Sequence, residues 1–228
     1  AVYQAISGSV GTADAVGFVN DANKLAVAGF TSLTNATDVL TTILNAYGME
    51  ASQVAGISNV LIQTQNLGKT SVDELSTSMG RAIATGSAYN VNLQNVSAAY
   101  VELTRGGIAT AEATTYLSSM LNELGKADSD VAKVLLAETG KSFGELMASG
   151  ASLADVLETL NRSVNGNAEA FMGLFGSQEA AKAANAILNM GFEDFNATLS
   201  QMNEELSGAT GTTEQAYRIM TSTSEFID

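Results

Sequence analysis

Proline is absent from all 228 residues, where ordinary usage of roughly 5% predicts about eleven. Its missing N–H and locked φ do most damage inside helices. A Pro-free chain rich in Ala, Leu, Met and Glu therefore points to helices joined by some other breaker. That breaker is Gly, present 21 times. Apolar–polar alternation at period two is nowhere sustained, so the expected fold class is all-α, with roughly a dozen short to medium helices and no sheet. The length suits one large domain or two small ones.

Several helices show both a face and an end. Val72, Leu75, Met79 and Ile83 fall at spacings of three and four, one apolar stripe, and Ser71 with Glu74 makes an S-x-x-E capping box. The preceding segment puts Val54, Ile57, Leu61 and Ile62 on one side and stops at Gly68, where the left-handed C′ conformation is expected. Val96, Tyr100 and Leu103 lead to Gly106-Gly107, and Ala113, Leu117, Met120 and Leu121 lead to Gly125. Ser142 with Glu145 offers a second capping box. Ser152 opens Leu153, Val156, Leu157 and Leu160, and Ser177 opens Ala181, Ala184 and Ile187. Phe195, Leu199, Met202 and Leu206 form a last stripe before Gly208.

Gly29, Gly68 and Gly107 stand 39 residues apart, each between a helix end and a Thr-containing helix start. That is the size of a two-helix repeat, so the helices form Gly-punctuated hairpins, stacked as a short solenoid or gathered in an irregular bundle. We divide the chain into a helical hairpin subdomain, residues 1–125, and a second helical subdomain, residues 126–228, packed on the first or continuous with it. The chain opens on Ala without an initiator Met, a basic leader or an A-x-A site, and reads as a piece of a longer protein. The charge-free run Ala82–Val101 has the length of a membrane span but carries Thr85, Asn90, Asn92, Gln94 and Asn95, too many polar groups to bury in lipid. No membrane span is expected.

With no His and no Cys, imidazole triads, thiol nucleophiles, common zinc sites and disulfides are excluded from this stretch. Ten Lys plus Arg against 24 Asp plus Glu leave a net charge of −14, and the basic residues are spaced singly, so no direct nucleic-acid binding is expected. The adjacent pairs Asp73-Glu74, Glu193-Asp194 and Glu204-Glu205 diverge on a helix surface and read as caps and solvated faces. Asp128-Ser129-Asp130 lacks the other ligands of a calcium loop and reads as a helix start. Gly8-Ser9-Val10-Gly11 lacks the Lys-Ser/Thr of a phosphate loop. No residue is assigned a catalytic, cofactor-binding or metal-ligating role, and the chain is read as not an enzyme. The first third holds only Asp14, Asp21, Asp38, Glu50 and Lys24 up to Gly68, so its outer face is either uncharged polar or packed on a neighbour.

The order of these pieces from about Ala36 to Asn189 resembles the core helical region of phage tail tape measure proteins. The resemblance rests on Gly68-Lys69-Thr70-Ser71-Val72-Asp73-Glu74-Leu75, on Gly106-Gly107-Ile108, and on Ser152-Leu153-Ala154-Asp155-Val156-Leu157-Glu158-Thr159-Leu160. It closes with Leu174-Phe175-Gly176 and Glu179-Ala180-Ala181-Lys182-Ala183-Ala184. One departure is Gly125-Lys126-Ala127-Asp128, where family members often have a Pro. The resemblance implies a structural virion component that occupies the tail tube, sets tail length and leaves ahead of the DNA. The partners it implies are the tail tube protein and tail assembly chaperones; self-association stays open. It also implies a location in the host cytoplasm during assembly and then in the virion tail. An all-α protein-binding scaffold is the alternative, and a hydrolase using two converging acids is a more distant one.

Overall fold

The computed structural model describes residues 2–8 and 10–224. After a short α1 (Val2–Ser7) come three hairpins: α2 (Ala15–Ala28) with α3 (Leu33–Tyr47), α4 (Val54–Leu67) with α5 (Val72–Ser78) and α6 (Gly80–Ala88), and α7 (Leu93–Arg105) with α8 (Thr110–Gly125). A 3-10 turn, Ala51–Gln53, precedes α4. The hairpins begin at residues 15, 54 and 93, each 39 residues after the last. The glycine spacing thus marks a structural repeat. First helices α2, α4 and α7 pack side by side in one layer, and α3, α5–α6 and α8 form the second.

Seven more helices follow: α9 (Asp130–Thr139), α10 (Phe143–Ala148), α11 (Leu153–Ser163), α12 (Ala168–Gly173), α13 (Gln178–Met190), α14 (Phe192–Leu206) and α15 (Thr212–Ser224). Helix α13 lies along α8, α14 crosses α7 and α4, and α15 rests on α2 and α4. One hydrophobic cluster runs from Ala5 to Met202 and joins residues on both sides of Gly125. Among the described residues there is no strand, and no helix is long and apolar enough to cross a membrane. Among the described residues the α-helices number fifteen, above the expected dozen, because short pieces such as the six-residue α1 and α12 show no 3.6-residue period.

Local chemistry explains the boundaries. Ser71 and Glu74, and Ser142 and Glu145, form the two expected capping boxes, and Ser152 with Asp155 forms a third. Val72, Leu75, Met79 and Ile83 are all fully buried, although the helix breaks at Met79 between α5 and α6. Helix α7 is buried on nearly every side, from Leu93 through Thr104. Its position at the centre of the molecule accounts for the lack of charge from Leu93 to Val101, the second part of the charge-free run: a helix with almost no solvent face has little room to hydrate one. Over the first hairpins the exposed residues include the uncharged polar Asn20, Asn23, Thr34, Thr42, Asn45 and Asn66 beside few charges, such as Asp14, Asp38 and Glu50.

One expectation fails. Gly68 is extended (φ −92°, ψ 177°), not left-handed. It is small because the third hairpin lies against it: a Cβ there would stand 2.8 Å from Thr104 Oγ1. Gly56 is more restrictive still, since a Cβ would meet the Leu206 carbonyl oxygen at 2.2 Å. Gly56→Ala is expected to destabilise the chain by about 1–3 kcal/mol through overpacking against backbone. Gly17→Ala in α2, where a Cβ meets nothing within 4 Å, is expected to stabilise it by about 0.5–1 kcal/mol. Urea denaturation of the two variants checks the opposite signs.

Candidate functional surface

The three hairpin turns lie edge to edge and are tied by side chains. Asp73, in the first turn of α5, accepts hydrogen bonds from Thr31 Oγ1 (2.6 Å) and Asn35 Nδ2 (3.1 Å) of the first hairpin. These bonds hold its carboxyl below the usual range. Between the second and third hairpins, the Lys69 amide donates to Thr104 Oγ1 (3.1 Å), and the Thr70 and Thr110 hydroxyls share a hydrogen bond of 2.8 Å. Gly29 sits so close to Val72 that a Cβ would approach its side chain to 2.6 Å. The left-handed residue in the first turn is Phe30 (φ 52°), which is 70% exposed. An aromatic residue in that conformation is a strained placement.

The acidic pairs do not converge. Glu74 caps its own helix through Ser71, and Glu193 and Asp194 occupy the first turn of α14. Glu204 is exposed, whereas its neighbour Glu205 is buried and accepts from the Thr210 and Thr212 hydroxyls ahead of α15. Asp128 pairs with Lys126 and Asp130 with Lys133, while Ser129 caps α9 through the Ala132 amide. Ser9 of the Gly8–Gly11 segment lies outside the described residues; Gly8 accepts from Asn45 Nδ2. Among the described residues no three Asp or Glu side chains gather as a metal ligand set. Met79, Met120 and Met202, expected on apolar stripes, are all buried.

Polar residues that sequence patterning missed join distant helices. Glu123 of α8 accepts from the Gly176 and Ser177 amides and from Ser177 Oγ, capping α13 from outside. Asn95 of α7 accepts from the Leu153 amide at the start of α11. Asn59 of α4 accepts from the Thr213 amide of α15. Beside it lies a cleft of about 170 Å³ lined by Asp21, Lys24, Ser58 and Glu214. There Lys24 Nζ stands 2.8 Å from Glu214 and 3.8 Å from Asp21, so the two acids share a cation. Burial pushes the Asp21 carboxyl up, against the pull of Lys24, while hydrogen bonds from Lys24 and Arg218 hold Glu214 down. Glu102 is fully buried in α7 and accepts from Thr198 Oγ1 of α14 (3.0 Å). Its only sequence signal is the charge-free run that it ends.

What emerges, among the described residues, is a stack of helical hairpins joined by polar ties. Residues 1–188 match the family model described as phage-related minor tail protein. The chain belongs to that family. It is also similar to the probable tape measure protein of Clostridium phage phiCD119, with 34% identity over 214 residues. That match covers 90% of this chain and 23% of the phage protein, so the chain spans about a quarter of that relative's length. No solved structure matches. Membership of the minor tail protein family makes the role a structural one in the phage tail.

For a structural protein, the groups to test are the ties. Thr104 is buried, and its hydroxyl both donates to the Tyr100 carbonyl (2.7 Å) and receives the Lys69 amide. Thr104→Val keeps the volume and orphans that amide, at an expected cost of about 1–3 kcal/mol. Thermal denaturation measures the loss, and faster exchange of the Lys69 amide locates it.

Proposed function

We propose that this chain is a segment of a tape measure protein that occupies the tail tube during assembly, contributes to setting tail length and leaves before the genome passes. The observation that carries this reading is the 39-residue stack, in which each hairpin turn is tied to the next along one edge. A linear array of small units can be lengthened, shortened or opened stepwise. As one unbroken helix the chain would reach about 340 Å at ~1.5 Å per residue, against a radius of gyration of about 17 Å when compact. Hairpins that open become a thinner helical string, and the apolar stripes thus freed require a partner. The tail tube protein, an assembly chaperone or another copy of the chain supplies that cover, first in the host cytoplasm and then in the virion tail. The net charge of −14 keeps such a string from adhering to the genome that follows.

No residue is proposed to be catalytic. Glu102 and Glu205 both serve interhelical or capping bonds, and Asp21 and Glu214 are bridged by Lys24. The scaffold reading has less support, because the layer formed by α2, α4 and α7 is covered by the chain's own α14 and α15.

In-frame deletion of residues 54–92, one repeat, from the phage gene tests the proposal. Tails imaged by electron microscopy are expected to shorten by about 58 Å at ~1.5 Å per residue, and duplication of the same segment to lengthen them equally. Assembled tails of unchanged length in both variants would refute a contribution of this segment to length.

A further inference from the structure

Helix α14 lies antiparallel to α4, in the groove between α4 and α7. Leu206 rests on Gly56 at one end, and along the seam Gln63 Nε2 donates to Gln201 Oε1 (3.1 Å) while Thr64 Oγ1 lies 4.0 Å from Met202 Sδ. Phe195 and Met202 supply the buried apolar contact. At the α7 side of this seam stands Glu102, with none of its surface exposed. One oxygen receives Thr198; the other, Oε2, has no hydrogen-bond partner among the described residues. The charged groups acting on it are Arg105 of its own helix, 3.8 Å away and 42% exposed, and Asp194 of α14, which opposes its ionisation. Helix α4 faces the seam with uncharged Gln63 and Thr64.

An ionised carboxylate in such a place forfeits hydration and gains in return one hydroxyl bond and a long ion pair, at 3.8 Å, to a half-exposed guanidinium that water also screens. We propose that Glu102 is a protonation-controlled catch that holds α14 against α4 and α7 in its neutral form and loosens that helix when it ionises. Burial pushes the Glu102 carboxyl up; the Thr198 hydrogen bond and then Arg105 lower it by less, and Asp194 adds the smallest contribution, a further rise. For a carboxyl raised on folding, the stabilising contribution is complete below its unfolded value of 4.5 and is lost as pH rises through its folded value. The seam is therefore tightest in acidic solution, below that unfolded value, and loosens as pH rises. The catch deepens the opening proposed above, on which its role in a tail rests. Its existence is tested on the 228-residue chain alone, whatever tail length does.

Hydrogen exchange read by mass spectrometry over α14, with protection corrected for the intrinsic rate at each pH from below the unfolded value of 4.5 up to neutrality and beyond, provides the test. Protection of α14 is expected to fall by about fivefold or more across that range, while α8 changes little. In Glu102→Gln the α14 profile is expected to be flat. Asp194→Asn, an exposed change that leaves the core intact, is expected to move the fall to lower pH. A flat profile in the unsubstituted chain, an equal fall in Glu102→Gln, or an unmoved midpoint in Asp194→Asn would each overturn the catch.

Discussion

Neighbouring hairpins can share one core only if their turns and crossings come within backbone reach, and here that distance is set by missing Cβ atoms. Val72 occupies the space beside Gly29, Thr104 the space beside Gly68, and the Leu206 carbonyl the space beside Gly56. Each approach lets short polar side chains bridge one unit to the next, as Thr70 does to Thr110. Without the close approach the hydroxyls would not meet, and the apolar stripes of α4 and α7 would be held apart by more than van der Waals contact. The absence of proline follows from the same architecture: straight, closely packed helices tolerate neither a missing N–H nor a kink.

The distribution of polar residues follows from two faces with different tasks. Outward, Thr34, Thr42, Asn20 and Asn45 wet a surface that carries few charges. Inward, Asn59, Asn95, Glu102 and Glu123 reach across helices and satisfy amides or hydroxyls that the hairpins leave unpaired. These inward groups define which helix lies where, a form of specificity that a purely apolar core supplies less well. They also leave weak places, since Glu102 keeps one oxygen unpartnered. For a phage tail component, a fold that is specific yet locally weak is compatible with leaving one state for another.

Much of this fold was legible in the chain itself. Ser71 with Glu74 and Ser142 with Glu145 announce helix starts through a local, reciprocal bond that needs no tertiary context. The spacing of Gly29, Gly68 and Gly107 announces the repeat, although the conformation expected at Gly68 is wrong because its size is dictated by Thr104, 36 residues away. Long-range demands of that kind do not show in local pattern. Glu102 illustrates the same limit: within its helix it looks like an ordinary acid beside Arg105, and only the arrival of α14 buries it. The ties were not legible, since they join residues from 35 positions apart, as Lys69 and Thr104 are, to 154, as Asn59 and Thr213 are.

The central claim is that helices separate at hairpin boundaries before they unravel, and stretching the single chain between its ends in an optical trap measures this directly. The account predicts stepwise release, with low-force steps of about 58 Å per 39-residue unit at the ~1.5 Å helical rise. A single rupture of the whole chain, or steps near 140 Å per unit at the ~3.6 Å of extended backbone, would contradict it.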